Sequence, residues 1–293
     1  MLHRNTNSGL KLNPFSGPLK ILMAVVGLSL AGHGPALSEP VNVATQGGSV
    51  VAGSALSSEA VTLGMPYVVP PHVPGSKVRT PEGLAPLLAE RLQKQMPLQA
   101  VAVPVEEKQA AEQSTHARLD ALLLPLSDAE ARQQAGTVIP TGYRAGIMAI
   151  MRTDTDIRQW DDLRGRTVCL AEGSGLAGQM EARYGAIEKV FRAPADALLD
   201  LRIGGCDAAV HDSTMLQALL QFPEWQKFSA SLPIQQERDL AFIIPEHAAA
   251  LAGVLQEQVR QWQDNGVLAS LTKQAAQDIA FEVYMDQEVP DCH

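Results

Sequence analysis

From residue 61 onward the chain switches repeatedly between two hydrophobic periods. VTLGM (61–65) is a short apolar run of strand type, and LAPLLAERLQ (84–93) spaces its leucines along one face of a helix. LQAVAV (98–103) predicts a second strand, residues 105–116 a helix, and LDALLL (119–124) a third strand. A second series repeats the alternation. It runs through the strand RTVCLA (166–171), a helix from about Gly175, the strand KVFRA (189–193), the helix ADALLDLR (195–202) and the strand DAAV (207–210). Strands alternating with helices predict mostly parallel sheets flanked by helices, and two such series predict two lobes.

Two segments lie outside this alternation. YRAGIMAIMR (143–152) is apolar and unbroken, with no helix between it and the first series, which suits a strand crossing between lobes. LAFIIP (240–245) reads as the matching return. Beyond it, Leu251, Leu255, Val259 and Trp262 fall at helical spacing, and an Asp264-Asn265-Gly266 turn precedes another short helix. The expected organisation is a first lobe over 59–142, an inserted second lobe over 143–239, and a return to the first lobe over 240–293.

The N-terminal segment departs from the pattern. Arg4, Lys11 and Lys20 precede the apolar run ILMAVVGLSLAG (21–32) and the small residues ALS (36–38), the order of a secretory signal. The run is shorter than the roughly 20 residues that span a bilayer. We expect a signal peptide over 1–38, with a buried helix or an uncleaved anchor as the alternatives. Residues 39–58, small, polar and glycine-containing, read as a flexible leader.

Charge removes one class of function. The chain has 23 Lys+Arg against 32 Asp+Glu, and losing residues 1–38 would remove three of the cations and no acid, taking the formal charge from −9 to −12. With no Lys/Arg-rich run, nucleic acid is not an expected partner. The three cysteines, 169, 206 and 292, have no CxxC spacing, and the seven histidines form no HExxH or HxxxH pattern, so no metal is expected. Two of the cysteines are free to pair in an oxidising compartment.

Three stretches carry candidate chemistry. GSGLAG (173–178) has the GxGxxG form after a strand, but an exported second lobe is a poor place for a dinucleotide, and no cofactor is expected. What remains is either a plain tight turn or a set of N–H groups at a helix start that would hold an anion. Arg132 follows the strand 119–124 by one helical turn, where it would either face the crevice at the carboxyl end of the sheet or lie on a solvated surface. In CDAAVHD (206–212), Asp212 ends a strand and precedes STMLQALL, as either a ligand contact or a helix N-cap. His211 reads as packing or surface.

These motifs, in this order and behind a signal peptide, resemble the type II periplasmic solute-binding proteins of the amino-acid class, solute-binding family 3. DALLLPLSDAEAR (120–132) with Tyr143 resembles the family's first-lobe pattern, and DLRGRTVCLAEGSG (162–175) with GGCDAAVHD (204–212) resembles its second-lobe pattern. The resemblance runs from about Val61 to Thr272. It implies an α/β two-lobe fold with two crossing strands as a hinge, a periplasmic monomer, and delivery of a small solute to the permease of a membrane ABC importer. It also implies that Arg132 clamps a ligand carboxylate with help from the backbone at Ser174 and Gly175, that Asp212 and Ser127 take the ammonium, and that Cys169 pairs with Cys206. Cys292 would then be the odd thiol.

The first-lobe face departs from the family. In GMPYVVPPHVPG (64–75) the aromatic position falls on Val69 and the acidic one on Pro66, with Tyr67 as a substitute. PEGLAPLL (81–88) replaces the usual Gly-Phe-Asp-Val-Asp, Pro125 stands for a small hydroxyl residue, and Gly175 for the second threonine of the turn. The resemblance therefore favours an amino acid or related zwitterion or acid bound without covalent chemistry. An accessory or sensor protein on the same fold is the first alternative. A cyclohexadienyl-dehydratase-like enzyme, with Glu130 or Glu172 as general acid, is the second.

Overall fold

Apolar residues on both faces of the central strands force helices onto both sides of the sheet. The computed structural model describes residues 60–103 and 119–287. The signal segment, the leader, the helix expected over 105–116 and Cys292 lie outside these residues. In the first lobe β1 (Val61–Met65) lies parallel between β2 (Leu98–Ala102) and β3 (Ala121–Leu126). Along β3, Ala121 and Leu123 face a core under α1 (Ala85–Gln93), while Leu122, Leu124 and Leu126 face a second core on the reverse side.

The second lobe repeats the plan with β5 (Thr167–Ala171) between β6 (Ile187–Phe191) and β7 (Ala208–Asp212). Its helices are α3 (Gln179–Tyr184), α4 (Pro194–Arg202) and α5 (Ser213–Leu219), and α2 (Asp128–Gln133) belongs to the first lobe. Helix α3 begins later than the sequence predicts, because Gly175 and Gly178 hold positive φ of 67° and 80°, a conformation that no α-helix continues. Cys169 in β5 and Cys206 at the foot of β7 form the disulfide that the resemblance implied.

Two long antiparallel strands join the lobes. β4 (Thr137–Met151) pairs in the first lobe with β9 (Gln235–Ile244) and in the second with β7 and the short β8 (Ala230–Ser231). The full order among the described residues is β2-β1-β3-β9-β4-β7-β5-β6, with β8 beside β4. β9 starts five residues before the expected return: the polar stretch QQERD is strand because β4 supplies its backbone partners. The pairing slips between Pro140 and Arg144 and again between Ala145 and Ile147, and such bulges bend the ribbon where it crosses.

The C-terminal helices correct one expectation. α6 (Ala250–Asp264) packs Leu251, Leu255, Val259 and Trp262 on the first lobe, as the spacing predicts. α7 (Val267–Asp286) is 20 residues rather than a short helix. Its first turns rest on the first lobe through Val267, Leu268 and Leu271, and its later turns put Ile279, Ala280 and Val283 into the second lobe's core. The sequence assigned all of 240–293 to the first lobe, yet α7 belongs to both. No helix among the described residues is long and apolar enough to cross a membrane.

The disulfide closes a sequence separation of 37 residues inside the second lobe. Replacing both cysteines by alanine should cost about 3–4 kcal/mol in the chain-entropy account. Urea melts of the native and doubly substituted proteins measure it, and equal midpoints would show that the bond contributes nothing to stability.

Candidate functional site

The carboxyl ends of β1, β3, β5 and β7 converge where β4 and β9 cross. An α/β sheet collects ligands at this position, because loops and helix starts gather there. They enclose a cavity of about 1090 Å³, with Tyr67, Glu82, Glu172, Asp212 and Arg238 among its walls. The cavity lies between the lobes, and all the described residues belong to one compact unit.

Asp212 ends β7 and caps α5. Its Oδ1 accepts from the Thr214 and Met215 N–H groups at 2.9 and 3.2 Å and from the Thr214 hydroxyl at 2.7 Å. On the other oxygen, Oδ2, the Tyr143 hydroxyl donates at 2.9 Å. The two readings of Asp212, cap and cavity group, are thus compatible: it caps the helix and also lines the cavity. Burial raises its pKa above the ordinary 3.8, and the nearby Glu82 charge adds to the rise against the donors that lower it. Tyr143 is held protonated in the same way, by burial and by the Asp212 charge.

Glu82 is the residue the sequence reading missed. It comes from a first-lobe loop and reaches across to β7, where its Oε2 meets His211 Nδ1 at 2.7 Å and its Oε1 accepts the Asp212 N–H at 2.9 Å. Both side chains are nearly sealed from solvent, at 4% exposure for Glu82 and 0% for His211. Gly173, on the second lobe, makes the approach possible: a Cβ there would lie 3.0 Å from the Tyr67 ring and 3.1 Å from Glu82 Cβ. The same loop is anchored just upstream. Arg79 pairs with Asp196 at 2.6 Å and with Asp286, and Thr80 donates its N–H and hydroxyl to Glu282 at 2.9 and 2.7 Å. Residues 79–82 therefore form a strap from the first lobe onto α4, α7 and β7. The only sequence signals were an acid between Pro81 and Gly83 and a histidine in an otherwise apolar strand.

The expected ligand residues divide. Tyr67, Tyr143, Ser174, Gly175 and Asp212 line the cavity. Val69 is exposed at 45% and is not among the lining residues, so Tyr67 is the aromatic side chain that this loop places in the cavity wall. Ser127 and Arg132 are not among the lining residues. The Ser127 side chain accepts the Glu130 N–H at 3.2 Å and the Glu130 carboxylate accepts the Ser127 N–H at 2.5 Å, a capping box that consumes both. Arg132 is exposed in the last turn of α2, which corrects its expected role as the carboxylate clamp. Two guanidinium groups do line the cavity, those of Arg183 on α3 and of Arg238 on β9, the latter paired with Glu130 at 3.0 Å. The anion expectation for 173–178 is also altered: the N–H groups of Gly178, Met180 and Glu181 are taken by the Glu188 carboxylate at 2.6, 2.8 and 3.0 Å. Ser174 spends its hydroxyl on the Ala171 carbonyl at 2.7 Å.

No protein-family model matches the chain, and no curated protein matches it. Solved structures do. A mutant of ArgBP from T. maritima is 19% identical, over 73% of this chain and 94% of that one, with a TM-score of 0.47. The GluR0 ligand-binding core from Nostoc punctiforme in complex with L-glutamate is 18% identical, over 73% and 98%, with a TM-score of 0.47. An ancestral amino-acid-binding protein described as a precursor of cyclohexadienyl dehydratase is 18% identical, over 73% and 94%, with a TM-score of 0.45. At these scores, what those proteins bind is a property of those proteins.

Removing Glu82 leaves a buried histidine and a buried N–H without their acceptor. Glu82→Ala should cost about 1–3 kcal/mol, the range for leaving buried hydrogen-bonding groups without a partner. Glu82→Gln keeps an acceptor for the Asp212 N–H and should lose less. Denaturation curves of the two variants and of His211→Ala measure this, and a loss within 0.5 kcal/mol for all three, the range usual for surface changes, would show that the contact does not hold the lobes together.

Proposed function

We propose that the protein is a binding module that encloses a small zwitterion, an amino acid or a close relative, between its lobes and presents it to a membrane ABC importer from the periplasm. The observation that carries this reading is the cavity at the crossing strands, whose walls hold both signs of charge. Asp212 and Glu172 stand among the acids, Arg238 and Arg183 are the cations, and two phenols, Tyr67 and Tyr143, lie between. A volume of about 1090 Å³ admits a solute of this size with water to spare. Asp212 would receive the ammonium, with its carboxylate held in place by Thr214, Met215 and Tyr143. The bulged ribbon of β4 and β9 would serve as the hinge.

A second reading, an accessory or sensor protein of the same architecture, is favoured by the strap. Glu82 already bridges the lobes at the cleft floor, a task that a solute performs in a receptor whose closure depends on binding. A thermal-shift screen of the oxidised protein against amino acids and small organic acids separates the two. A solute at 100 times its dissociation constant should add about 2.7 kcal/mol to stability. A shift that disappears in Asp212→Ala supports the receptor, whereas a folded protein that no solute shifts supports the accessory role.

Asp212 also gives a pH signature. Below about pH 3.8 the carboxyl is protonated in both the folded and unfolded chains and costs nothing. Between pH 3.8 and its raised folded value, the unfolded chain releases the proton while the folded one retains it in a desolvated site, so stability falls across that window and levels off above it. Asp212→Asn, which keeps a good cap, should therefore melt higher than the native protein at neutral pH and equally below pH 3.8. It should also lose the solute. A lower melting temperature at neutral pH would refute the burial argument.

A further inference from the structure

We propose that the carboxylate of the bound solute is received on β9 by Arg238, assisted by Gln236, and that Glu130 masks Arg238 until the solute displaces it. This rests on the receptor reading above and names the residues that would give it acid selectivity. On a strand, residues two apart share a face, as Arg238 and Leu240 do. Gln236, at the bulge, lines the cavity with them, so this end of β9 presents an amide, a guanidinium and an apolar side chain. The guanidinium carries five N–H donors in a planar fork that suits a carboxylate. Among the described residues its ion-pair partner is Glu130, through Nη2 at 3.0 Å, with the arginine side chain 35% exposed.

Glu130 is suited to the masking role because its second oxygen is anchored elsewhere. Its Oε2 is committed to the Ser127 N–H in the capping box, and its Oε1 faces Arg238. A solute carboxylate that takes Glu130's place therefore keeps Arg238 paired and leaves the cap of α2 intact. Glu130, still anchored through Oε2, then stays beside the solute as a competing negative charge, which is why its removal should favour the acid.

Gln236 shows two further marks of a site rather than of packing. It is the one non-glycine among the described residues with positive φ, 54°, and it lies where the pairing of β4 and β9 slips. Its Nε2 is shielded from solvent and has no hydrogen-bond partner among the described residues. Strained backbone and an unsatisfied buried amide collect at ligand sites, where binding offsets them. Gly146 across the ribbon permits the bend, since a Cβ there would lie 2.4 Å from the Gln235 carbonyl oxygen.

Titration calorimetry on the full exported chain tests the assignment, with the twenty common L-amino acids as probes, each beside its C-terminal amide, which keeps the ammonium and removes the carboxylate charge. The native protein should prefer the acid to the amide. Arg238→Gln should weaken the acid about 10–100-fold, the range for a hydrogen bond to a charged group, and should erase the preference. Arg132→Ala should leave both affinities unchanged. Glu130→Gln preserves the cap, because glutamine also serves at that position, and should tighten the acid several-fold with no change for the amide. This last variant keeps the test open if Arg238→Gln does not fold. A preference that survives Arg238→Gln, or is lost in Arg132→Ala, or is unmoved by Glu130→Gln, overturns the assignment while leaving the receptor intact. A native protein that binds no member of the panel overturns the receptor reading itself, and the assignment falls with it.

Discussion

The arrangement of the cleft depends on one buried contact, the Glu82 carboxylate against His211 and the Asp212 N–H. Taking a carboxylate out of water is expensive unless every lone pair finds a partner. Here one oxygen faces the imidazole and the other the backbone, so each oxygen of the desolvated group has a partner on the opposite lobe. That fixes the separation of the lobes at the cleft floor to hydrogen-bond length. It also sets the local field: the Glu82 charge contributes to the raised pKa of Asp212 and of Tyr143. The contact that closes the cleft is therefore the one that tunes the group lining it.

A single contact of this kind would be weak against the swing of two lobes, but it does not act alone. The strap residues Arg79 and Thr80 dock on α4 and α7, and α7 has its own apolar anchors in both lobes. Apolar burial along α7 is non-directional and tolerates sliding. The Glu82 bond is directional and does not. The helix therefore keeps the lobes together, and the carboxylate decides their register. A ribbon bent by two bulges can change its angle only if both the strap and the later turns of α7 give way.

The sequence made the lobes readable and the cleft much less so. Strand runs such as LDALLL and RTVCLA are apolar on both faces because helices cover both, and that pattern is local. The crossing strand was legible from Tyr143 on, whereas its start at Thr137 was not, and the start of β9 was hidden in QQERD, whose strand character comes from β4 some 90 residues away, as the pairing of Ala145 with Arg238 shows. Asp212 and Tyr143 do line the cavity, because the motifs that contain them lie on β7 and on the crossing strand, whose ends meet there. Arg132 was lost because its direction depends on where α2 ends, and the capping box of Ser127 and Glu130 turns that short helix so that its last turn faces solvent. Glu82 could not be found from spacing, because its partners are 129 and 130 residues distant in sequence.

Asp212 also shows why a functional group can be placed at a structural cost. As an N-cap it repays its position, since the Thr214 and Met215 N–H groups at the start of α5 would otherwise lack an acceptor. As a desolvated carboxyl beside another acid, it has a raised pKa, and that upward shift opposes folding at neutral pH. Asparagine would keep the first contribution and remove the second, so stability alone gives no reason for aspartate here. On the receptor reading proposed above, a cationic group that entered the cavity would share this charge. An aspartate where an asparagine would fold better is the expected mark of a site kept for binding rather than for the fold.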